Sequence, residues 1–452
     1  MAHRRRLGRV AAHVCAAGEA DVDPRTGMFL SDDPEDAAFR EYCIQGSERA
    51  KALTNRGPLR LGPDGKVHPD IVAEYDRTGF YVLESVVAED EIAEMRAEFE
   101  ALLGNAPSAV DSAVDSRGNP VRFPQIYNYG DSLADPNGGG PGGVHRLAHP
   151  GDDPAVTEEP IVGRHQMKMR VPTPPPGAPS KVMSHFMGPM AYMDSLVRAY
   201  GHPGLLKVAE AVNGPDFVPF TETMWFKAPW AASTAWHQDP SSSWDEEWRQ
   251  PGFDTHKMGF SFHLCVYRGT AVNSLWMVPG SQFEGRVSTH ACCACASRSC
   301  LTVCLWLQVD IKALSASGDG SDRLPGAVPI LMEPGDCVIQ SRTALHGAFP
   351  NMSTEPRCTF QFGFNKRGTV EGLTTRGYGH QGTLVTYDAE YLKHRSKMIQ
   401  WAISARQQRW PEEEPYVYQP LAAEAGELVW STHLRDDPET MRVLDATMPI
   451  VV

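Results

Sequence analysis

Along Arg357-Cys-Thr-Phe-Gln-Phe-Gly-Phe364 the chain alternates: Phe360, Phe362 and Phe364 fall on one parity, Arg357, Thr359 and Gln361 on the other. In an extended strand the two parities point to opposite faces, so this strand has an apolar face and a polar one. A polar inward face on a barrel strand implies a wet, ligand-filled cavity. Thr221, Thr223 and Lys227 share a parity in the same way on an earlier strand. Short strands punctuated by turn signals run on from Phe217, the pattern of an all-β barrel or jelly roll.

Helical periodicity frames this β region. Residues 80–87 read as a strand, and residues 89–103 place Ile92, Met95, Phe99 and Leu102 on one helical face, with Gly104 as the stop. A helix is expected around residues 190–211. Another, over residues 389–409, puts Leu392, Ile399, Ala402 and Ile403 on one side. Residues 105–179 are rich in Gly, Pro and Asp and read as a long loop region, partly a lid. The last forty residues read as loop wrapping the barrel. The expectation is an α+β chain built on a double-stranded β-helix (a jelly roll, cupin-like) with flanking N- and C-terminal helices. Residues 1–74 read as an extension, partly flexible or targeting, residues 75–420 as one domain and residues 421–452 as a tail.

Charge narrows the partners. A net charge of −14 argues against a nucleic-acid footprint, which would be basic, and discourages binding to an anionic membrane. No segment approaches the run of about 20 apolar residues that a membrane helix needs. A small-molecule partner is expected, and nothing in the chain indicates an oligomeric state. The scattered cysteines Cys15, Cys43, Cys265, Cys337 and Cys358 read as reduced intracellular thiols. Cytoplasmic residence is expected. The alternative is peroxisomal: Arg6-Leu7, five residues, then His13-Val14 nearly matches an N-terminal peroxisomal signal whose last position is normally Leu or Ala. The Arg-rich start also admits a mitochondrial transit peptide, or a frayed or wrongly chosen start.

The chemistry concentrates in Trp236-His237-Gln238-Asp239 and in His346, 107 residues after Asp239, followed by Arg357. A His-x-Asp pair plus a distant His is the ligand set of the facial triad that holds non-haem Fe(II) and leaves positions open. An Arg beyond the last His suits a dicarboxylate cosubstrate, because its planar fork clamps a carboxylate through two hydrogen bonds.

The wider motif series runs Thr223-Met-Trp-Phe-Lys-Ala-Pro229, Trp236-His-Gln-Asp239, Trp244, Val278-Pro-Gly-Ser281, Glu333-Pro-Gly-Asp336 and His346-Gly-x-x-x-Asn351-x-Ser353-x-x-x-Arg357. In that order it resembles the phytanoyl-CoA dioxygenase family over residues 75–368. The resemblance implies a hydroxylase that consumes O2 and decarboxylates 2-oxoglutarate to succinate, with Fe(II) and, optionally, ascorbate. It implies His237, Asp239 and His346 as iron ligands and Arg357 as partner of the distal carboxylate of 2-oxoglutarate. Thr223 and Trp244 occupy positions where the family lines the cosubstrate pocket, plain strand packing being the alternative. Relatives often carry Ser where this chain has Ala348, and Ser353 is the candidate to compensate. Halogenating relatives replace the carboxylate that Asp239 retains, so hydroxylation is favoured. On the substrate side the candidates are Lys227, His256 and His263. Trp225, Trp230, Trp236, Trp244 and Trp248 form either packing or a water-excluding wall. Two rival readings stay open: another oxidation on the same iron, such as desaturation or ring formation, and a catalytically silent cupin-like binding protein. The resemblance does not fix the substrate, and no CoA-binding signature is legible.

Residues 287–308 interrupt the series with five cysteines. Removing these 22 residues joins Gly285-Arg286 to Val309-Asp-Ile-Lys312 and shortens the spacing from Asp239 to His346 to 85. Val287-Ser288 can be encoded by a splice-donor-like GTGAGT and Gln308 by a splice-acceptor-like CAG. A retained in-frame intron accounts for the segment. A zinc site on His290, Cys292, Cys293, Cys295, Cys300 and Cys304 is the rival reading, but these ligands lack the regular knuckle spacing of zinc motifs. A genuine structural loop is the third. Transcript sequencing is expected to recover reads lacking this segment; its presence in most reads would make it part of the protein.

Overall fold

The computed structural model describes residues 22–105, 114–115, 117–120, 145–148, 169–170, 182–231, 233–239, 259–283, 311–376, 384–437, 440 and 443. Two antiparallel-dominated sheets face each other across a cavity. The larger has eight strands: β1 (Arg56–Pro58), β2 (Phe80–Glu84), β3 (His145–Ala148), β4 (Val182–Met187), β5 (Val218–Lys227), β7 (Phe260–Tyr267), β10 (Cys337–Ser341) and β12 (Arg357–Asn365). Their order is β1-β2-β10-β7-β12-β5-β4-β3, with only the β1–β2 pair parallel. The smaller sheet runs β6-β11-β8-β9 and contains β6 (Thr234–His237), β8 (Trp276–Met277), β9 (Val328–Pro329) and β11 (His346–Ala348). A separate hairpin pairs β13 (Thr374–Arg376) with β14 (Leu384–Thr386). The architecture is the expected double-stranded β-helix.

Helices cover the outer faces. On the larger sheet lie α3 (Glu89–Gly104), α4 (Asp194–Tyr200), α5 (Pro203–Asn213) and α8 (Ala389–Arg409); α6 (Ile311–Ala316) and α7 (Arg367–Val370) are short. Ile92, Met95, Phe99, Leu196, Met398 and Ile399 join Phe360, Phe362 and Phe364 in one buried cluster. The apolar parity of β12 therefore faces helices, and its polar parity faces the cavity. The helix expected over 190–211 is broken at Gly201, because Pro203 cannot continue α4 and instead opens α5.

Residues 22–74, read as an extension, supply structure that periodicity did not reveal. Helix α1 (Pro34–Ala52) starts where the Asp33 carboxylate accepts a bond from the Glu35 N–H and Pro34 presets the first turn. Its Phe39 and Cys43 are buried with Trp276 of β8, and a Cβ on Gly46 would collide with that indole. Helix α2 (Pro69–Thr78) ends in the left-handed Gly79 and leads into β2. Most of the 105–179 lid reading, and all of 287–308, lies outside the described residues. Among the described residues no helix is long and apolar enough to cross a membrane.

Two motif turns prove structural. In Glu333-Pro-Gly-Asp336, Gly335 has φ 93° and a Cβ there would strike the Val87 carbonyl. The Asp336 carboxylate accepts from the N–H of Ser85 and of Glu333, both at 2.8 Å. In Val278-Pro-Gly-Ser281, the Ser281 hydroxyl donates to the Val278 carbonyl at 2.6 Å and accepts from the Leu345 N–H at 2.8 Å. That turn is thereby fastened to the residue preceding His346.

Phe362 is fully buried, with ring centroids 5.2 Å from Tyr200 and 5.1 Å from Phe262. Phe362→Ala is expected to cost about 3–5 kcal/mol in chemical denaturation, through lost burial and a residual cavity. A loss below about 1 kcal/mol would show that this side of β12 is not core.

Candidate metal centre

Strands β6 and β11 pair antiparallel with His237 opposite His346, which brings the ring centroids to 4.2 Å. Each imidazole is oriented by its own strand. The Nδ1–H of His237 donates to the Ala235 carbonyl at 2.7 Å, and that of His346 to the Ala344 carbonyl at 2.9 Å. These bonds fix the tautomer, because a carbonyl can only accept, and they leave both Nε2 lone pairs directed into the cavity. Both Nε2 atoms lie 3.6 Å from Asp239 Oδ1.

Asp239 is placed by the chain on the other side of the site. Its N–H donates to the Arg342 carbonyl at 3.0 Å, and the adjacent Gln238 amide donates to the Thr343 carbonyl at 2.6 Å. Burial by itself would raise the Asp239 pKa, but the contacts with His346 and His237 hold it well below the usual carboxylate range. The candidate ligand atoms of His237, Asp239 and His346 all lie within 4.8 Å of one another, and this is the one such cluster among the described residues. Two neutral imidazoles and one carboxylate on one side of a cavity fit a divalent iron with positions left open.

The cavity measures about 100 Å³ and lies between the two sheets. At roughly 10–15 Å³ per enclosed water, that is room for small molecules rather than a macromolecular segment. Its apolar lining includes Leu275, Met332, Val338 and Ala348; Thr223, Thr359, Gln361 and His263 add polar groups. Arg357 lines it as well; the residue is 8% exposed, and its guanidinium has no carboxylate partner among the described residues. Burial lowers its pKa to about 10, so it remains cationic at neutral pH. His263 is driven down to about 3, first by burial and then by the neighbouring charges of Arg357 and His346, and so stays neutral. Neither Arg357 Nε nor His263 Nε2 has a hydrogen-bond partner among the described residues.

The structure thus brings His237, Asp239, His346, Arg357, Thr223 and His263 to one cavity. It does not bring Ser353 there. The Ser353 hydroxyl donates to Asn351 Oδ1 at 2.8 Å, within the loop that closes onto the Lys227 carbonyl. Ser353 therefore does not replace the hydroxyl missing at Ala348. Lys227 is buried opposite Arg357 in the β5–β12 register but is not among the lining residues. Trp244 and His256 lie outside the described residues, as does Trp248. Of the remaining tryptophans, Trp225 lines the cavity. Trp236 turns to the opposite side of β6 from His237 and bonds the Asp322 carbonyl, and Trp230 stacks on Phe29. Those two are packing residues.

The phytanoyl-CoA dioxygenase family model matches residues 184–359, a span that contains the whole triad and Arg357. Over those residues the chain is similar to the phytanoyl-CoA dioxygenase family. The match and the triad support an oxidoreductase of the Fe(II)- and 2-oxoglutarate-dependent oxygenase class. No curated protein matches the sequence. Similar solved structures include EctD from S. alaskensis with 2-oxoglutarate and 5-hydroxyectoine (16% identity, TM-score 0.41, covering 81% of this chain and 89% of that one). Another is the non-haem α-ketoglutarate-dependent epimerase SnoN from nogalamycin biosynthesis (15%, 0.37, 66% and 83%). A third is AviO1 from Streptomyces viridochromogenes Tue57 (18%, 0.36, 66% and 94%).

Six residues that the sequence reading gave no role in the site line the cavity: Phe220, Thr234, Leu275, Met332, Val338 and Arg342. For Arg342 a signal existed, its place four residues before His346 in the turn after β10.

Ser353→Ala is expected to reduce stability by about 1–2 kcal/mol, through the lost bond to Asn351, while 2-oxoglutarate affinity changes less than about twofold. Denaturation and ligand titration of the same variant separate the two; a tenfold loss of affinity would return Ser353 to the cosubstrate site.

Proposed function

We propose that the protein hydroxylates a small organic substrate at this cavity, with His237, Asp239 and His346 as the iron ligands and Arg357 as the anchor of the distal carboxylate of 2-oxoglutarate. The observation that carries this reading is the buried guanidinium of Arg357, which lines the same cavity as the triad and has no carboxylate partner among the described residues. A desolvated cation is costly to keep unless an anion completes it, and a dicarboxylate cosubstrate supplies that anion. Bound Fe(II) would supply the O2-dependent oxidising chemistry.

The chain's own groups do the rest. The Nδ1 bonds to Ala235 and Ala344 hold both rings with Nε2 aimed at the ligand position before anything binds. Asp239 stays ionised through its contacts with the two histidines, which matches a cation at that point. Because this carboxylate is retained, the third protein ligand is present and no ligand position is vacated for a halide. Leu275, Met332 and Val338 give the reacting region an apolar wall that limits water. His263 is neutral and its Nε2 has no partner among the described residues, so it can give or take one hydrogen bond without adding charge.

The test is an anaerobic titration with Fe(II) and 2-oxoglutarate, on forms with and without residues 287–308, followed by the weak visible absorption of the chelate. The absorption is expected to vanish in His237→Ala. In Arg357→Ala the 2-oxoglutarate affinity should fall about 10–100-fold, the value of charge-assisted hydrogen bonds to one carboxylate. Product mass then decides the reaction: a gain of one oxygen marks hydroxylation, and a loss of two hydrogens marks desaturation. If neither form binds 2-oxoglutarate in the presence of Fe(II), the oxygenase assignment of these residues is wrong.

A further inference from the structure

We infer that His263 belongs to the cosubstrate site: its Nε2–H donates to the distal carboxylate that Arg357 anchors, and the residue thereby selects a diacid over other 2-oxo acids. This rests on the oxygenase reading above. The register of the larger sheet sets His263 between Gln361 of β12 and Val338 of β10, and all three line the cavity. Its neighbours Phe262 and Leu264 are fully buried in the cluster that faces the helices. Successive strand residues point to opposite faces, so the imidazole points inward. There its Nε2 is buried with no hydrogen-bond partner among the described residues. A buried polar nitrogen left in that state is destabilising, which favours a bound group that completes it.

Position identifies that group. Arg357, Thr359 and Gln361 form one inward row on β12, and Cys265 and His263 the adjacent row on β7, with Thr359 beside Cys265 and Gln361 beside His263. An arginine side chain rooted at the end of this ladder and an imidazole rooted further along it address the same space. Burial acts first on the ring; of the neighbouring charges that of Arg357 weighs most, followed by His346, with Asp239 opposing. His263 thus stands between the cation and the triad. A molecule that reaches from the triad to Arg357 must pass it.

The chemistry of the lining agrees. A carboxylate offers about four lone-pair sites, and a guanidinium fork fills about two of them. Ala348 has no hydroxyl to offer, and that of Ser353 is turned to Asn351. The Gln361 amide is committed: its oxygen accepts from Trp225 Nε1–H, and its nitrogen donates to Ser261 Oγ at 3.3 Å. His263 supplies a further donor. A neutral imidazole suits the place, because a protonated one would set two cations side by side. An anionic oxygen only accepts, so the bond requires the tautomer with its hydrogen on Nε2. One cation and one neutral donor then match the single charge of the carboxylate.

The experiment is anaerobic calorimetry on the Fe(II)-loaded protein with 2-oxoglutarate, 2-oxovalerate and oxalate. The second has the same carbon chain without the distal carboxylate, and oxalate chelates a metal without extending to Arg357. In His263→Phe, 2-oxoglutarate is expected to bind about 10–100-fold more weakly, the scale of one hydrogen bond to a charged group. The other two ligands should change less than about threefold. His263→Gln, whose amide nitrogen falls near the Nε2 position, should recover most of the affinity; His263→Asn, whose amide stops short, should not. That pair of variants decides the matter if His263→Phe does not fold. An unchanged 2-oxoglutarate affinity in His263→Phe, an equal loss for all three ligands, or equal binding by His263→Asn and His263→Gln overturns the inference. Failure of 2-oxoglutarate to bind the Fe(II)-loaded wild type is a different result: it overturns the oxygenase reading and this inference with it.

Discussion

The pairing of β6 with β11 is the constraint on which the site depends. It puts His237 opposite His346, and the backbone carbonyl two residues before each imidazole fixes the ring. The two strands therefore deliver two equivalent nitrogens, each 3.6 Å from one oxygen of Asp239, with no side chain outside the motif needed to aim them. Gly347 shows how tightly the pair is packed: a Cβ there would come within 3.1 Å of both the Trp236 ring and the Thr234 carbonyl. His346-Gly347 and Trp236-His237 are thus one packing unit, each supplying a ligand on one side of its strand and a close fit on the other.

Much of this was legible because strands expose their parity. The alternation in 357–364 already assigned Phe360, Phe362 and Phe364 to one face and Arg357, Thr359 and Gln361 to the other, and the structure keeps that division. The helix over Ala389–Arg409 was legible for the same reason, since Leu392, Ile399, Ala402 and Ile403 recur at helical spacing and all are buried. What stayed illegible depends on contacts distant in sequence. Helix α1 has a weak apolar face, yet it is held by Trp276 and Phe349, more than two hundred residues away. The Ser353 hydroxyl sits at a suggestive spacing from His346, but spacing cannot reveal that Asn351 takes it. Arg342 was invisible for the converse reason: only the fold sets it over Phe220 and against Asn365.

The site also has an energetic asymmetry with consequences for the fold. Arg357 and His263 are buried with polar nitrogens unpartnered, and each such group costs roughly 1–3 kcal/mol relative to a satisfied one. The sheets carry that cost through the Phe-rich outer face of β12, where Phe362 and Phe364 pack on Tyr200 at 5.2 Å. A rigid apolar layer on one side of a strand thus permits an unsatisfied polar layer on the other. Because the side chains are locked by core packing, an anion that completes Arg357 needs little rearrangement to bind. By linkage, an anion that binds only the folded state must also raise the stability of the chain. The cavity is then best understood as a preformed deficit of negative charge and hydrogen bonds. The anions that enter it complete both the chemistry and the packing of the strand that carries Arg357.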